Sequence, residues 1–452
     1  MAIALLRLWK LGDWSLWHDE ALTLSDALDG VGMQNRLGYL LYAALFGGAE
    51  TRPDELQLRL LPAVLGILTV PLTYWAFRPF VAARHAAAAA LLVALSTWHV
   101  YWSQNARFYT LAQDLALVGG GLFVRGLYRP RTALVVVGVA LVAAAALAHP
   151  SAAFLLGGLL AGPWVARAVG LGPERVEPGP WRATLLLAGV GALAGLPWAR
   201  EVWDTWVGKK DPNAAHFLFT TGFYVTPAIG VGVLLGTWTL LRRRERAGSA
   251  VLAATVATFA LAFGASLFAR MSAQYVFVLL PWIAFVAAAP VGAFTRRGFS
   301  AVPGGLGLAY LALLVLPALA NLLLYFTVAH GDRPRWRDAY AYVLTASEPG
   351  DLILGMEAPV AEYYLDPDPA RMDVREWRQV AYLDRFRANL SSAWGRYPRR
   401  TWLVLNREQL EDWGRSDRES FLRNLRDEFR LIEAFPVRVL ARDLDVLVYL
   451  RE

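Results

Sequence analysis

Long apolar blocks, separated by short polar stretches, dominate the first 330 residues of the chain. The blocks approach the roughly 20 residues that an α-helix needs to cross a bilayer, and apolar and polar positions do not alternate within them. This pattern predicts about eleven transmembrane helices. They lie near residues 1–11, 59–78, 85–101, 109–127, 132–148, 150–168, 183–199, 222–241, 249–268, 273–294 and 302–327.

Two longer segments are polar. Residues 12–58 form a loop between the first two predicted spans, with amphipathic helical patterns at Ala21–Leu28 and Leu37–Phe46. Residues 330–452 are charged, with strand-like runs at Asp351–Gly355, Thr401–Leu405 and Val446–Leu450 and helical patterns at Trp336–Ala346 and Ser420–Phe429. We therefore predict a polytopic α-helical membrane domain over residues 1–329 and a small α/β domain over residues 330–452.

Composition agrees with the apolar pattern. Of the 452 residues, 56% are hydrophobic and 18% charged, against about 25% charged in soluble domains. The absence of Cys excludes disulfides, Cys-ligated zinc and thiol catalysis. The net charge of +7 resides largely on Arg residues in short loops, a pattern that reports membrane topology. Attraction to anionic lipid or to a phosphate substrate is the alternative.

The distribution of these basic residues predicts an orientation. With a cytoplasmic N-terminus, fourteen Arg residues fall in cytoplasmic loops, against five basic residues in the short external loops: Arg107, Arg200, Lys209, Lys210 and Arg270. The positive-inside rule favours this orientation and places residues 12–58 and 330–452 outside. The first predicted span is short before Arg7, so it lies partly in the interface or the coding sequence begins upstream.

The first external loop carries adjacent carboxylates in Trp17-His18-Asp19-Glu20-Ala21. One interpretation is a helix start, with Asp19 as the cap and Glu20 in the first turn, where the helix dipole favours both. The other is a general base at the boundary of water and lipid, where partial desolvation raises the basicity of a carboxylate.

Polar side chains also occupy the turn between the third and fourth predicted spans, Tyr101 to Tyr109. One interpretation is an aromatic belt with an Arg that reaches toward the interface. The other makes Arg107 a phosphate clamp, because a guanidinium binds phosphate through a planar fork. Its polar partners in the turn would be Gln104, Asn105 and Tyr109.

Two further external turns carry candidate side chains. Arg270, between the ninth and tenth spans, is either a helix-end anchor or a second phosphate-binding residue. His149 lies between the fifth and sixth spans. A lone histidine is more often a structural residue than a metal ligand. The cytoplasmic loops contain no Walker or dinucleotide-binding pattern. External chemistry has little nucleotide available to it, so a donor there would be carried by lipid.

These residues resemble motifs of the GT-C glycosyltransferases of the family 39 type, which include protein O-mannosyltransferases and the aminoarabinose transferase. Trp17-His18-Asp19-Glu20-Ala21 resembles the Trp-x-Asp-Glu-Ala signature, and Ser103 to Tyr109 resembles the turn Ser-Gln-Glu-Ala-Arg-x-Tyr. Similar segments follow in order along the chain: Glu55 to Pro62, Arg270 with Tyr275 and Pro281, and Arg335-Trp336-Arg337-Asp338-Ala339.

The resemblance implies a polyprenyl-phosphate-linked sugar donor, an acceptor glycan, lipid or protein, and an inverting transfer in the plasma (inner) membrane. Asp19 would be the base and Glu20 would orient the acceptor or that base. Arg107 and Arg270 would hold the departing phosphate, and Gln104, Asn105, Tyr109, His149 and Tyr275 would bind substrate. No cofactor and no nucleic acid are implied.

Two departures from the family pattern stand out. Asn105 replaces the acidic residue of the family turn, which disfavours a divalent metal, because an amide is a poorer ligand than a carboxylate. Leu37-Gly38 replaces paired prolines in the first loop, which leaves the local shape open. The main alternative function is a carrier or flippase for lipid-linked sugars. A carrier would use the same arginines, but no buried ionisable residue or broken repeat is evident in the predicted spans. A non-catalytic scaffold is a third option.

Overall fold

A computed structural model describes residues 2–29, 34–48, 52–171, 178–207, 212–293, 304–348, 351–355, 358–365, 376–379, 400–411, 415–439 and 442–452. The chain is organised in two compact units. The helical unit comprises Met1–Trp9, Gly30–Leu45 and Arg59–Leu322. The sheet-containing unit comprises Lys10–Asp29, Phe46–Leu58 and Leu323–Glu452. Because compactness alone does not show independent folding, the predicted domains 1–329 and 330–452 stay a prediction.

Helices account for most of the described residues. In chain order the α-helices are α1 His18–Asp29, α2 Arg36–Phe46, α3 Glu55–Phe77, α4 Ala83–Leu95, α5 Thr97–Ser103, α6 Tyr109–Tyr128, α7 Thr132–Ala148, α8 Ala152–Ala168, α9 Pro178–Val207, α10 Ala214–Val225, α11 Pro227–Arg243, α12 Arg246–Ser266, α13 Leu280–Ala293, α14 Gly304–Thr327, α15 Trp336–Ala346, α16 Ala358–Leu365, α17 Arg407–Glu411 and α18 Arg415–Glu428. Short 3₁₀ helices lie at Ala2–Leu8, Ala273–Leu279 and His330–Asp332.

Several of these helices are suited to a membrane. Within the described residues, four are long and apolar enough to span one, or up to seven spans exist if each bent helix pair counts once. The bends are sharp, at 62° between α4 and α5 and 90° between α10 and α11. The predicted count of eleven stays a prediction. Residues 1–11, predicted as the first span, contain the seven-residue 3₁₀ helix instead.

Small residues set the spacing of neighbouring helices in the helical unit. A Cβ atom on Gly119 of α6 would lie 2.7 Å from the carbonyl oxygen of Gly138 on α7. A Cβ atom on Gly162 of α8 would lie equally close to the backbone nitrogen of Ala254 on α12. Because apolar packing gives no net hydrophobic gain in lipid, close backbone approach is what stabilises such pairs. The Gly and Ala content of these segments therefore serves packing.

The sheet-containing unit holds a five-stranded sheet of order β2-β1-β3-β7-β4. Its strands are β1 Leu352–Gly355, β2 Glu376–Gln379, β3 Thr401–Asn406, β4 Arg430–Phe435 and β7 Val446–Arg451, and a separate pair joins β5 Arg438–Val439 to β6 Arg442–Asp443. β1 pairs in parallel with β2 and β3, whereas β7 runs antiparallel to β3 and β4. Strands thus occur at the three predicted positions. That residues 330–452 form a separate external domain stays a prediction.

Alternating side chains give this sheet two apolar faces. Ile353, Trp402 and Val404 join the core cluster that contains residues of α15 and α16. Their neighbours along the same strands pack instead with Phe421 and Leu425 of α18. Ala21 of α1 belongs to the first cluster, so the core of this unit anchors the helix that carries Asp19.

Candidate active site

Asp19 and Glu20 lie in the first turn of α1. The helix begins at His18, and the backbone N–H groups of Glu20 and Ala21 donate to the carbonyl oxygen of Trp17. Trp17 is therefore the residue that precedes the helix, and Asp19 lies two positions after it. The interpretation of Asp19 as the cap is wrong. Glu20 lies three residues after Trp17, and its Oε2 accepts from the Trp17 backbone N–H at 3.4 Å, which is half of a capping box.

The two carboxylates differ in their surroundings. Asp19 is half-buried, whereas the Glu20 side chain is fully buried and lies 3.4 Å from Nε of Arg333, whose side chain is also fully buried. Arg333 also donates to the carbonyl oxygen of Gly331 at 2.9 Å and to the Tyr325 hydroxyl at 3.3 Å. Removing one partner of such a pair costs about 3–5 kcal/mol, because the other charge stays buried.

A left-handed turn precedes Arg333. His330, Gly331 and Asp332 have φ values of 47°, 63° and 54°, and the Trp14 indole lies against Gly331 and meets His330 edge-on at 4.9 Å. Burial raises the pKa of Asp332 to about 6, although the nearby Arg442 and Arg333 oppose the shift. Left-handed non-glycine residues are strained, and the surrounding packing holds them here.

The turn between α5 and α6 presents the predicted residues of the helical unit. Gln104 is buried, and its amide donates to the carbonyl oxygens of Arg7 at 3.1 Å and Trp9 at 2.6 Å. Asn105 is fully buried, and neither its Oδ1 nor its Nδ2 has a hydrogen-bond partner among the described residues. Buried polar groups normally have partners, so the amide of Asn105 is an exception, and its predicted role in substrate binding stays a prediction.

Arg107 follows in the same tight turn, where its backbone N–H donates to the carbonyl oxygen of Asn105 at 2.7 Å. Its guanidinium lies 5.5 Å from the ring centre of Phe108. That ring meets Tyr39 of α2 edge-on at 4.8 Å. A Cβ atom at Gly38 would collide with the Phe108 ring. Leu37 and Gly38, which replace the paired prolines of the family, lie in α2. The lack of a side chain at Gly38 leaves room for Phe108, which follows Arg107 in the turn.

An aromatic cluster brings together three predicted residues. The centre of the His149 ring lies 4.2 Å from the ring centre of Tyr109 and 6.1 Å from that of Tyr275. The Ser151 backbone N–H donates to His149 Nδ1 at 3.3 Å, and the Ser151 hydroxyl lies 2.7 Å from the same nitrogen. Because Nδ1 accepts, the ring proton lies on Nε2. Burial, and then the charge of Arg107, lower the pKa of His149 to about 3, so the ring is a neutral donor.

Arg270 is exposed and lies before the 3₁₀ helix that contains Tyr275. The next residue, Met271, is fixed by Asn213, whose side chain exchanges two hydrogen bonds of 2.8 Å with the Met271 backbone. Sequence reasoning missed both Asn213 and Ser151. The spacing of Ser151 two residues after His149 is a local signal for a side-chain turn. Asn213 offers no such signal, because its partner lies 58 residues away.

Comparison with known proteins identifies the fold. ArnT from Cupriavidus metallidurans, solved in the apo state, aligns over 99% of this chain and 96% of its own, with a TM-score of 0.59 and 15% identity. The same enzyme bound to undecaprenyl phosphate gives a TM-score of 0.56. An Archaeoglobus fulgidus oligosaccharyltransferase aligns over 90% of this chain and 69% of its own, at 0.52 and 12% identity. The chain has the GT-C glycosyltransferase fold.

The GT-C fold and the apolar helices indicate that the chain is a membrane protein. No protein-family model and no curated protein matches the sequence. The predicted resemblance is thereby confirmed for the fold. The structure brings Tyr109, His149 and Tyr275 together near Arg107, and it places Asp19 beside Glu20 on α1. The roles of these residues stay predictions.

Proposed function

We propose that this GT-C protein transfers a sugar from a polyprenyl-phosphate carrier to an acceptor hydroxyl on the external face of the plasma membrane. The fold supports a transferase of this kind, and ArnT, which shares it, has been solved with undecaprenyl phosphate bound. The acceptor oxygen attacks the anomeric carbon while the bond from that carbon to the phosphate oxygen breaks. The lipid phosphate leaves with the electron pair. A single in-line displacement inverts the anomeric centre.

Asp19 is proposed as the base that takes the acceptor proton. The observation that carries this assignment is the contrast in burial, because Glu20 is fully enclosed with Arg333 while Asp19 is half-buried. A general base must come within about 3 Å of the proton that it removes. Glu20 is therefore assigned to holding the start of α1, and Asp19 to the chemistry.

Arg107 and Arg270 are proposed to bind the phosphate and to stabilise the charge that develops as it leaves. His149 contributes a neutral Nε2–H donor. Asn105, Gln104, Tyr109 and Tyr275 complete the proposed donor site. Turnover is proposed to need no divalent metal, because Asn105 replaces a carboxylate. Rates that persist unchanged in excess EDTA would support this, and restoration by Mg²⁺ after a loss would contradict it.

The catalytic assignment is tested by Asp19→Asn in proteoliposomes. The donors are a panel of undecaprenyl-phosphate-linked sugars, cell-envelope extract supplies acceptors, and release of undecaprenyl phosphate is measured. General-base loss costs roughly 10²–10⁴-fold in rate. Asp29→Asn, an exposed carboxylate at the other end of α1, is the matched control and should stay within about 2-fold. Equal rates for Asp19→Asn and the wild type would remove Asp19 from the chemistry.

One observation favours the carrier alternative. Asp114 is buried inside α6, where its Oδ1 accepts from the Thr69 hydroxyl at 2.6 Å. The expectation that the predicted spans bury no ionisable residue is therefore wrong, because the side chain lies between two helices. Such residues often line transport paths. A carrier would lose lipid translocation with Asp114→Asn and release no free undecaprenyl phosphate, whereas a transferase would continue to release it.

A further inference from the structure

Two motifs singled out in the sequence meet in the sheet-containing unit. Glu55 begins α3 and Arg337 lies in the first turn of α15. Their side chains form an ion pair with a nitrogen–oxygen distance of 2.6 Å, and the Arg337 Nε donates to the same Glu55 oxygen at 2.9 Å. The Tyr364 hydroxyl donates to that oxygen at 2.9 Å as well. The three side chains thus form one hydrogen-bonded group.

This group holds the backbone that leads to Asp19. Arg337 donates to the carbonyl oxygen of Gly12 at 2.8 Å and to those of Asp13 and Trp14 at 3.4 Å. Its backbone N–H donates to the Ser15 hydroxyl at 3.0 Å. The backbone N–H of Leu16 donates to the Tyr364 hydroxyl at 2.7 Å. Every residue from 12 to 16 is therefore bonded to Arg337 or Tyr364.

Asp19 lies between this group and a second fixed point. On its N-terminal side, only Trp17 and His18 separate it from the held segment. On its C-terminal side, Glu20 is fixed by Arg333 and Ala21 is buried in the core cluster. A guanidinium with five N–H donors is suited to bonding several carbonyls and a carboxylate together. The charge on Glu55 keeps that fork oriented.

We propose that Arg337, oriented by Glu55 and assisted by Tyr364, is a positioning residue that sets the place of the Asp19 carboxylate for proton abstraction. This inference rests on the proposed function of Asp19. Displacing a catalytic group by about 1 Å costs on the order of 10²-fold in rate. The loss should appear in kcat, because the group bonds to the Asp19 segment and the donor phosphate is assigned to other residues.

The kinetic test compares Arg337→Met and Arg337→Lys with Arg335→Met. Arg335 is a matched control on the same turn, since it forms its ion pair with Asp338, three residues away. We expect kcat to fall roughly 10–100-fold for Arg337→Met, with an unchanged KM for the lipid donor and partial recovery for Arg337→Lys. Arg335→Met should stay within about 2-fold. A kcat for Arg337→Met equal to that of Arg335→Met would overturn the proposal.

Hydrogen exchange provides a readout that does not depend on catalysis. Tyr364→Phe removes the acceptor of the Leu16 N–H and should raise exchange in peptides spanning residues 12–17, with exchange in the β3 and β7 strands unchanged. If exchange in residues 12–17 of the variant were as slow as in the wild type, the hydrogen bond to Tyr364 would not be needed to order this segment. That result would overturn the proposal. If wild-type protein released no undecaprenyl phosphate yet showed this difference, the proposed function would fail while the hold on the segment remained.

Discussion

The predicted phosphate-binding residues of the helical unit and the Asp19 segment of the sheet-containing unit place their charged side chains in different surroundings. In the helical unit, Arg107 lies over an aromatic ring, and its charge helps to keep His149 neutral. In the sheet-containing unit, Glu20 and Glu55 are each paired with an arginine. The first arrangement sets a cation against an aromatic ring and beside a neutral imidazole. The second uses ion pairs to fix a backbone segment, which is what the proposed base Asp19 would require.

Replacing Arg107 should give the largest effect, because it removes the cation of the predicted phosphate-binding residues. Arg107→Met removes the cation, and kcat/KM for an undecaprenyl-phosphate sugar should fall by about 100-fold or more, with weaker binding of undecaprenyl phosphate. Arg107→Lys should recover only part of the loss, because an ammonium lacks the planar fork. Arg131→Met, at an exposed helix start, is the control. Unaltered phosphate binding in Arg107→Met would end the assignment.

Gly331→Ala should destabilise the sheet-containing unit by about 2 kcal/mol. The new Cβ would lie 2.8 Å from two atoms of the Trp14 ring, at a φ of 63°. Gly48→Ala is the matched control, since a Cβ there meets no atom of the described residues within 4 Å. Thermal unfolding in detergent measures both variants. Equal melting temperatures would show that Trp14 moves aside without cost.

His149 should discriminate between two amide replacements. The Gln amide nitrogen can occupy the position of Nε2 and donate as the neutral ring does, whereas the Asn amide is too short. We expect about a 10-fold loss in kcat/KM for His149→Asn and a smaller loss for His149→Gln. Because the pKa of His149 is about 3, the difference should be constant from pH 5 to pH 8. A difference that changed near pH 6.5 would indicate a titrating ring.

Asp332 should give the smallest effect, visible in the pH dependence of stability. Its folded pKa of about 6 lies above the ordinary value of 3.8, so its contribution is complete below pH 3.8 and is lost as pH rises through 6. Between pH 4 and pH 7.5, the wild type should lose about 1 kcal/mol that Asp332→Asn retains, after allowance for partial exposure. Parallel stability profiles would show that the carboxyl stays solvated.

Local pattern and long-range pairing differ in how far sequence could predict them. Hydrophobic blocks located α6 and α7 to within one residue, and the run at Thr401–Leu405 located β3, because both signals repeat along the local chain. The break at Ser96 inside the predicted span 85–101 was missed, since a single capping serine interrupts an apolar run without changing its composition. The partners of Glu20 and Ser15 lie more than 300 residues away, and nothing in local periodicity encodes them.

The hold on residues 12–16 also has a consequence for biosynthesis. Gly12 and Arg337, which bond directly, are separated by 325 residues. At roughly 5–20 residues per second, the ribosome needs about 15–65 s to supply that partner. The Asp19 segment therefore leaves the ribosome long before the group that holds it exists. A nascent chain can insert its helices during this interval, but residues 12–16 gain their hydrogen bonds to Arg337 only after residue 337 has been made.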